Sequence, residues 1–140
     1  AVPLEKQPRR TTLVVSKKAL GLLIEAVNLV AKGLVEGLGS YRVTQNLRKS
    51  KERVAQEFPF VVNFYVDNNA TISLIKGREE LLDKNFMIAM IKWIYLFMNS
   101  SNQIQSLDIR DLTAEISQPL KEIGFYSIYR KVADLKAQDS

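Results

Sequence analysis

The segment NFMIAMIKWIYLFMNSS, at residues 85–101, constrains the fold more than any other stretch of the sequence. Every residue in positions 86–98 is apolar or aromatic except Lys92, although 25% of the chain is charged. These residues would form about 20 Å of helix, whereas a membrane span needs about 20 residues. A helix that is apolar all round is typical of a buried central element. We therefore expect the protein itself to cover this helix, with or without a second subunit, and Lys92 to extend its ammonium group to solvent.

The composition excludes several kinds of chemistry. The chain has 140 residues and contains neither cysteine nor histidine. Disulfides, thiolate nucleophiles, zinc sites of the usual Cys/His kind and histidine acid–base catalysis are therefore excluded. No pair of carboxylates, lysines, tyrosines or hydroxyls has a diagnostic spacing, so we expect a non-enzymatic protein without a cofactor or a metal site. A cytoplasmic location is the default, and a processed N-terminus would look the same.

The positive charge of the chain is concentrated in its first 56 residues. Residues 1–56 carry 11 Lys and Arg against 4 Asp and Glu, whereas residues 57–140 carry 9 against 11. A localised excess of this kind is typical of proteins that bind nucleic acid or an acidic lipid surface, although it also serves solubility. Residues 1–12 contain two prolines and no apolar periodicity, which predicts a flexible basic arm. The length of the chain predicts a single globular domain over residues 13–140.

Two helices are predicted in the first half of this domain. Apolar residues recur at steps of three and four across residues 20–38, and Gly39 supplies a natural helix stop. Gly33 lies within this helix, where the lack of a side chain lets a neighbouring element approach the backbone closely. A second helix is predicted over residues 41–58, and it has only a narrow apolar edge.

The cations of the second helix are the best candidates for an anion-binding surface. Because only one edge of this helix can be buried, most of them must face water or a ligand. A basic helix can neutralise phosphates without reading a base sequence. The alternative is a solvated surface helix. The predicted nucleic-acid-binding residues, taken from the arm and both helices, are Arg9, Arg10, Lys17, Lys18, Arg42, Arg48, Lys49, Lys51 and Arg53.

After the second helix the apolar residues change from helical spacing to alternation with polar residues, which predicts a β-hairpin. Apolar and polar residues alternate across residues 62–66, with Val62 on the apolar side, and again across residues 71–74. Asp and Asn at residues 67–69 tolerate the positive φ of a tight turn. Two strands alone are marginally stable, and residues 11–15 could supply a third.

The last third of the chain predicts a pair of helices. Apolar residues recur at helical spacing on both sides of Gly124, and Asp108 lies where a helix N-cap is expected. The pair has the outline of a helix-turn-helix, with Arg130 and Lys131 on its second helix. Any helical hairpin has such a turn, and neighbouring acidic residues dilute the positive charge, so DNA reading by this element is a minor alternative.

These patterns together predict an α+β fold. A two- or three-stranded antiparallel sheet packs on a central apolar helix at residues 78–98, flanked by the long N-terminal helix and the C-terminal helical pair. The leading functional hypothesis is a regulatory or binding domain that engages a polyanion, with nucleic acid as the first candidate. The alternative is a protein–protein interaction or homodimer module that uses the hairpin edge and the apolar helices. A third hypothesis is a sensor that binds a small apolar ligand against the Met- and Trp-rich helix.

Overall fold

The computed structural model describes residues 2–76, 85–101 and 108–139, with side chains described for residues 17–76, 85–101 and 108–135. It confirms the predicted α+β fold, because helices pack around a two-stranded antiparallel sheet. In chain order the elements are α1 (Val2–Leu38), α2 (Ser40–Glu57), a 3-10 segment (Pro59–Asn63), β1 (Phe64–Val66), β2 (Ile72–Leu74), α3 (Phe86–Ser101), α4 (Ile109–Leu112), a second 3-10 segment (Ala114–Ile116), α5 (Ser117–Glu122) and α6 (Phe125–Asp139).

Helix α1 is longer than the sequence indicates. It begins at Val2, so most of the predicted arm at residues 1–12 is helical, and the mobility of the arm stays a prediction. The proposed third strand at residues 11–15 is wrong, since these residues continue the helix. Their β-propensity is a weak local preference, and helix propagation overrides it.

The remainder of α1 agrees with its predicted pattern. Its apolar residues from Leu20 to Leu34 at the predicted positions are buried. The helix stop at Gly39 is also confirmed: its φ is 84°, and its amide donates a hydrogen bond of 2.8 Å to the Val35 carbonyl. Glycine adopts this positive φ without the Cβ penalty of other residues. The chain therefore turns directly from α1 into α2 at Gly39.

Helix α3 lies at the centre of the protein and packs against α1, α2 and α6. Its predicted start falls in residues 77–84, outside the described part of the chain. Trp93 is completely buried, and its Nε1–H donates a 3.2 Å hydrogen bond to the Leu47 carbonyl on α2. The other protein elements thus cover most of this helix, as predicted. Its buried residues are Phe86, Ala89, Met90, Ile91, Trp93, Ile94, Phe97, Met98 and Ser101.

Lys92 reaches the edge of this core and is paired there. Its Nζ lies 3.0 Å from both carboxylate oxygens of Glu57 on α2. The same ammonium lies 5.4 Å from the centroid of the Phe58 ring. The charge expected to extend to solvent is therefore held in an ion pair with a cation–π contact beside it.

The hairpin buries one face and exposes the other. Phe64, Val66 and Ile72 are buried, as their alternation predicts. Val62 was predicted on the same side, but it is 58% exposed because it lies in the 3-10 segment. Pro59 begins that segment, and its fixed φ suits the first position of a helical turn. The tight winding removes Val62 from the strand register.

The hairpin turn is organised by Asp67. Its Oδ1 accepts hydrogen bonds from the amides of Asn69 at 2.8 Å and Thr71 at 3.1 Å. The predicted positive φ at an Asp or Asn of residues 67–69 is wrong, because the residue with positive φ is Ala70 at 57°. The Asp67 carboxylate fixes the first residues of the turn through these hydrogen bonds. The residue with left-handed backbone, Ala70, therefore follows them.

The predicted C-terminal helical pair is present, with its first member divided. Gly124, with φ of 80°, separates α6 from the preceding elements, and the 3-10 segment separates α4 from α5. The predicted N-cap is confirmed, since Asp108 Oδ1 accepts a 2.9 Å hydrogen bond from the Arg110 amide. With these caps and turns, α4 packs against α1, α6 packs against α3, and α5 packs against α6.

A buried pair of hydroxyl groups joins α4 to α6. Thr113 Oγ1 lies 2.8 Å from the Ile109 carbonyl and 2.7 Å from the Tyr126 hydroxyl. Because a carbonyl can only accept, Thr113 donates its single proton to Ile109, and the Tyr126 hydroxyl must donate to Thr113. The order of donors is thus fixed by the Ile109 carbonyl.

Tyr129 packs in an aromatic cluster between α3 and α6. Its ring centroid lies 6.0 Å from that of Tyr95 and 6.0 Å from that of Phe125. Burial, with smaller effects of Tyr95 and Asp108, raises the pKa of Tyr129 to about 12. The neutral phenol is therefore favoured in the folded protein.

This pKa predicts a loss of stability at alkaline pH. Because the folded-state pKa exceeds the unfolded value of about 10, the contribution of Tyr129 is fully present below about pH 10 and is lost as pH rises through about 12. We expect the difference in free energy of unfolding between wild type and Tyr129→Phe to shrink by up to about 3 kcal/mol over this range. Urea unfolding at each pH measures it. The exposed Tyr65→Phe is the control, and an equal pH response in both variants would contradict the prediction.

A close helix approach occurs at Gly33, as the sequence indicates. A Cβ atom on Gly33 would overlap the Cδ2 methyl of Leu112 on α4. Gly21, in the same helix, has open space where its Cβ would lie. The two glycines therefore form a matched pair that differs in the proximity of α4.

Alanine substitution at these two glycines tests the contact. Gly21→Ala should raise the free energy of unfolding by about 0.5–1 kcal/mol, because alanine is the better helix former. Gly33→Ala gains the same helix propensity but must displace Leu112, so its net gain should be smaller or negative. Urea unfolding followed by circular dichroism measures both values. Equal gains at the two positions would show that α4 does not approach α1 at Gly33.

Candidate functional site

Helix α2 presents a different environment on each of its sides. One side faces α3, where Asn46 Nδ2 donates a 3.0 Å hydrogen bond to Ser101 Oγ. Another side faces the hairpin and carries Arg48 and Lys51. The residues buried on its inner side are Val43, Thr44, Leu47, Ser50 and Val54. The remaining side faces solvent.

Arg48 and Lys51 hold the outer edge of β1. Arg48 Nη2 donates hydrogen bonds to the Val66 carbonyl at 3.0 Å and to Asn68 Oδ1 at 3.1 Å. Lys51 Nζ donates a 2.9 Å hydrogen bond to the Phe64 carbonyl. The two cations thus occupy carbonyls that an additional strand would otherwise use. Both residues were predicted to bind nucleic acid, but in the structure both donate hydrogen bonds to the hairpin.

The pKa of Lys51 agrees with its place between α2 and the hairpin. Burial lowers its pKa, and the neighbouring charge of Arg48 lowers it further. The carboxylate of Glu52 acts in the opposite direction. A half-buried ammonium that already donates to a backbone carbonyl is a poorer phosphate ligand than a free one, because it must first break that hydrogen bond.

Asn28 of α1 covers part of the other hairpin edge. Its Nδ2 donates a 3.2 Å hydrogen bond to the Ile72 carbonyl, and its Oδ1 accepts a 2.7 Å hydrogen bond from the Ile72 amide. This side-chain amide satisfies both backbone groups, as a paired strand would. The alternative hypothesis used the hairpin edge for assembly, and side chains of the fold occupy the β1 edge at Phe64 and Val66 and the β2 edge at Ile72.

The solvent side of α2 carries the remaining cations of this helix. Arg42, Lys49 and Arg53 are exposed, and across the described side chains none of them has a hydrogen bond or an ion pair. Helical periodicity places the three in one row about 16 Å long, at a rise of about 1.5 Å per residue. We call this side the outer face of α2 and define it by Tyr41, Arg42, Gln45, Lys49, Glu52 and Arg53.

The other predicted binding residues lie on α1. Lys17 and Lys18 are exposed near the start of the described side chains. Arg9 and Arg10 belong to α1, but their side chains lie outside the described residues. The structure therefore assembles three of the nine predicted cations into one free row and assigns two others to the hairpin.

Sequence reasoning missed two neighbours of this row and one structural residue. Tyr41, Gln45, Lys49 and Arg53 follow one another at a spacing of four, which is a neighbour relation on a helix. That spacing is visible in the sequence and would have identified Tyr41 and Gln45. Asn28 has no such local signal, since its partner lies 44 residues away.

Two open grooves occur in the described part of the chain. One, of about 500 Å³, lies between α1 and the hairpin turn and includes Ile24, Asn28 and Ala70. The other, of about 410 Å³, lies between α2 and α3 and includes Arg53 and Lys92. The third hypothesis placed an apolar ligand against methionine and tryptophan on α3, but Met90 and Trp93 are packed inside the core and line neither groove.

Neither a membrane-spanning helix nor a metal-binding cluster occurs among the described residues. Among the helices that the structure describes, none has the length and apolar character needed to cross a membrane. In those ranges no three acidic side chains come together as ligands for a metal ion. Comparison with protein-family models, with characterised proteins and with solved structures finds no match to the chain.

Adjacent residues on α2 should respond differently to truncation. Arg48→Ala leaves the Val66 carbonyl and Asn68 without their donor, and we expect a loss of about 1–2 kcal/mol in the free energy of unfolding. Lys49→Ala removes an exposed and unpaired charge, so its effect should stay within about 0.5 kcal/mol. Urea unfolding followed by Trp93 fluorescence compares the two. Equal effects would contradict the assignment of Arg48 to the hairpin.

Proposed function

We propose that this protein is a non-enzymatic binding domain that engages a polyanion, with nucleic acid as the partner, through the outer face of α2. The observation that supports this proposal is the row of Arg42, Lys49 and Arg53, which are exposed and unpaired among the described residues. Cations in such a row can contact successive phosphates without reading a base sequence. Binding of this kind suits a regulatory domain acting in the cytoplasm.

The charges around the row favour an anionic partner. Glu52 is the acidic member of the outer face, so three cations are opposed by one carboxylate. Glu57, near the end of the helix, is already paired with Lys92. Arg48 lies beside the row, hydrogen-bonded to the hairpin, and its guanidinium adds to the local positive potential.

A second candidate function is self-assembly through the outward face of the hairpin. Tyr65 is 56% exposed and Ile75 is 44% exposed on this face. Tyr65 pairs with Ser73, and the Ile75 amide donates to the Asn63 carbonyl, so the two apolar side chains are diagonal neighbours. Such a face could meet a second copy of the chain or another protein without using the covered strand edges.

Two charge-matched triple variants test the polyanion proposal. Each is titrated with labelled single-stranded DNA, duplex DNA and RNA at about 50 mM and about 200 mM salt. Both variants remove three exposed cations and therefore change the net charge equally. The test variant is Arg42→Ala with Lys49→Ala and Arg53→Ala; the control variant is Lys32→Ala with Lys76→Ala and Lys121→Ala.

We expect wild type and the control variant to bind with a steep salt dependence. In the test variant the slope of log K against log salt should fall by about 2–3, because three phosphate contacts are lost. Circular dichroism checks that both variants are folded. Absence of binding by wild type at the lower salt concentration would disprove the proposal. Equal losses in the two variants would show that only net charge matters.

A further inference from the structure

Tyr41 has an exposure that the fold does not explain. It lies in the first turn of α2 with 78% of its surface exposed, more than any other large apolar side chain among the described residues. Within those residues it has no hydrogen bond or ring contact. An aromatic ring that is largely exposed on a polar surface is a feature of binding sites that use stacking.

The ring is continuous with the cationic row. Tyr41, Gln45, Lys49 and Arg53 follow at steps of four residues, so each lies one turn from the next, at about 6 Å. Arg42 is the chain neighbour of Tyr41 and begins the row of free cations. One side of a single rigid helix thus presents an aromatic platform, an amide and a track of positive charge.

We propose that the polyanion bound by this face is a single-stranded nucleic acid, with one unpaired base stacked on the ring of Tyr41 and the adjoining phosphates on Arg42, Lys49 and Arg53. This inference rests on the function proposed above and specifies its ligand. An exposed ring can stack only on a base whose face is open, and every base has such a π-face once it is unpaired. Bases inside a duplex are covered on both faces, so a duplex offers this site its phosphates alone.

The polar members of the face support this choice over an anionic membrane. Gln45 lies between the ring and Lys49, where its amide can hydrogen-bond a base edge. A membrane-binding helix pairs its cations with several apolar side chains that enter the lipid. On the outer face of α2, Tyr41 is the single large apolar residue, and Gln45 and Glu52 of the same face are polar. Insertion into lipid would therefore bury little apolar surface.

Three ligands distinguish binding by base stacking from binding by charge alone. Labelled oligothymidylate of about 15 nucleotides offers both bases and phosphates, its duplex with oligoadenylate offers mainly phosphates, and inorganic polyphosphate offers charge without bases. Binding is measured by fluorescence anisotropy, with polyphosphate as a competitor. The variants are Tyr41→Ala, Tyr41→Phe, the control Tyr65→Ala at an exposed tyrosine of the hairpin, and the triple variant that lacks Arg42, Lys49 and Arg53.

We expect Tyr41→Ala to weaken oligothymidylate binding by about 5- to 100-fold, the range for loss of one stacked base, and to leave polyphosphate competition unchanged. Tyr41→Phe keeps the ring and should bind as the wild type does, as should Tyr65→Ala. The triple variant should bind all three ligands more weakly. Wild type should prefer the single strand to the duplex.

The failure of this inference is distinguishable from that of the proposed function. If Tyr41→Ala binds oligothymidylate like wild type while the triple variant does not, the single-strand assignment is overturned and the polyanion site stands. Equal affinity of wild type for the single strand and the duplex overturns the assignment in the same way. If the triple variant retains wild-type affinity for every ligand, both proposals are overturned.

Discussion

Burial of the apolar surface of α3 sets the positions of the other elements. Full burial of one large apolar side chain contributes about 1.5–3 kcal/mol, and α3 buries such residues on several sides, so α1, α2 and α6 must all pack against it. Trp93 adds a directional requirement, because its buried N–H needs an acceptor. The Leu47 carbonyl supplies that acceptor and fixes how α2 lies on α3. Once this side of α2 faces inward, helical periodicity directs Arg48 towards the hairpin and Lys49 towards solvent.

The hairpin depends on this arrangement. A two-stranded sheet is marginally stable alone, and here Phe64 packs edge-to-face on Trp93, with ring centroids 6.0 Å apart. Side chains then satisfy the outward backbone groups: Arg48 and Lys51 at β1, and Asn28 at β2. Basic residues of α2 therefore have two roles that are separated by the side of the helix on which they lie. Those beside the hairpin stabilise it, and those facing solvent remain available to a ligand.

Because the cations beside the hairpin hold α2 in place, the solvent-facing cations of the proposed interface lie on a rigid helix. The row from Arg42 to Arg53 lies on a helix held from within by packing and from both flanks by hydrogen bonds, so its side chains project from a rigid support. Little backbone ordering would then be needed on binding, which lowers the entropic cost of association. Tyr41 adds a rigid ring to the same support. The tyrosine and the three cations of this face are all exposed, which suits a flexible strand and tolerance of base sequence.

Features that depend on residues a few positions apart were predictable from the sequence. The buried side of α1, the stop at Gly39 and the N-cap at Asp108 each follow from local spacing or local hydrogen bonding. The division between Arg48 and Lys49 was not predictable, because both are cations on a thinly apolar helix and their difference arises from a carbonyl partner of Arg48 that lies 18 residues away. The sequence by itself determined the main helices, the hairpin and the basic character of α2. Only the tertiary structure decided which cations are free, because that depends on which side of α2 the hairpin and α3 occupy.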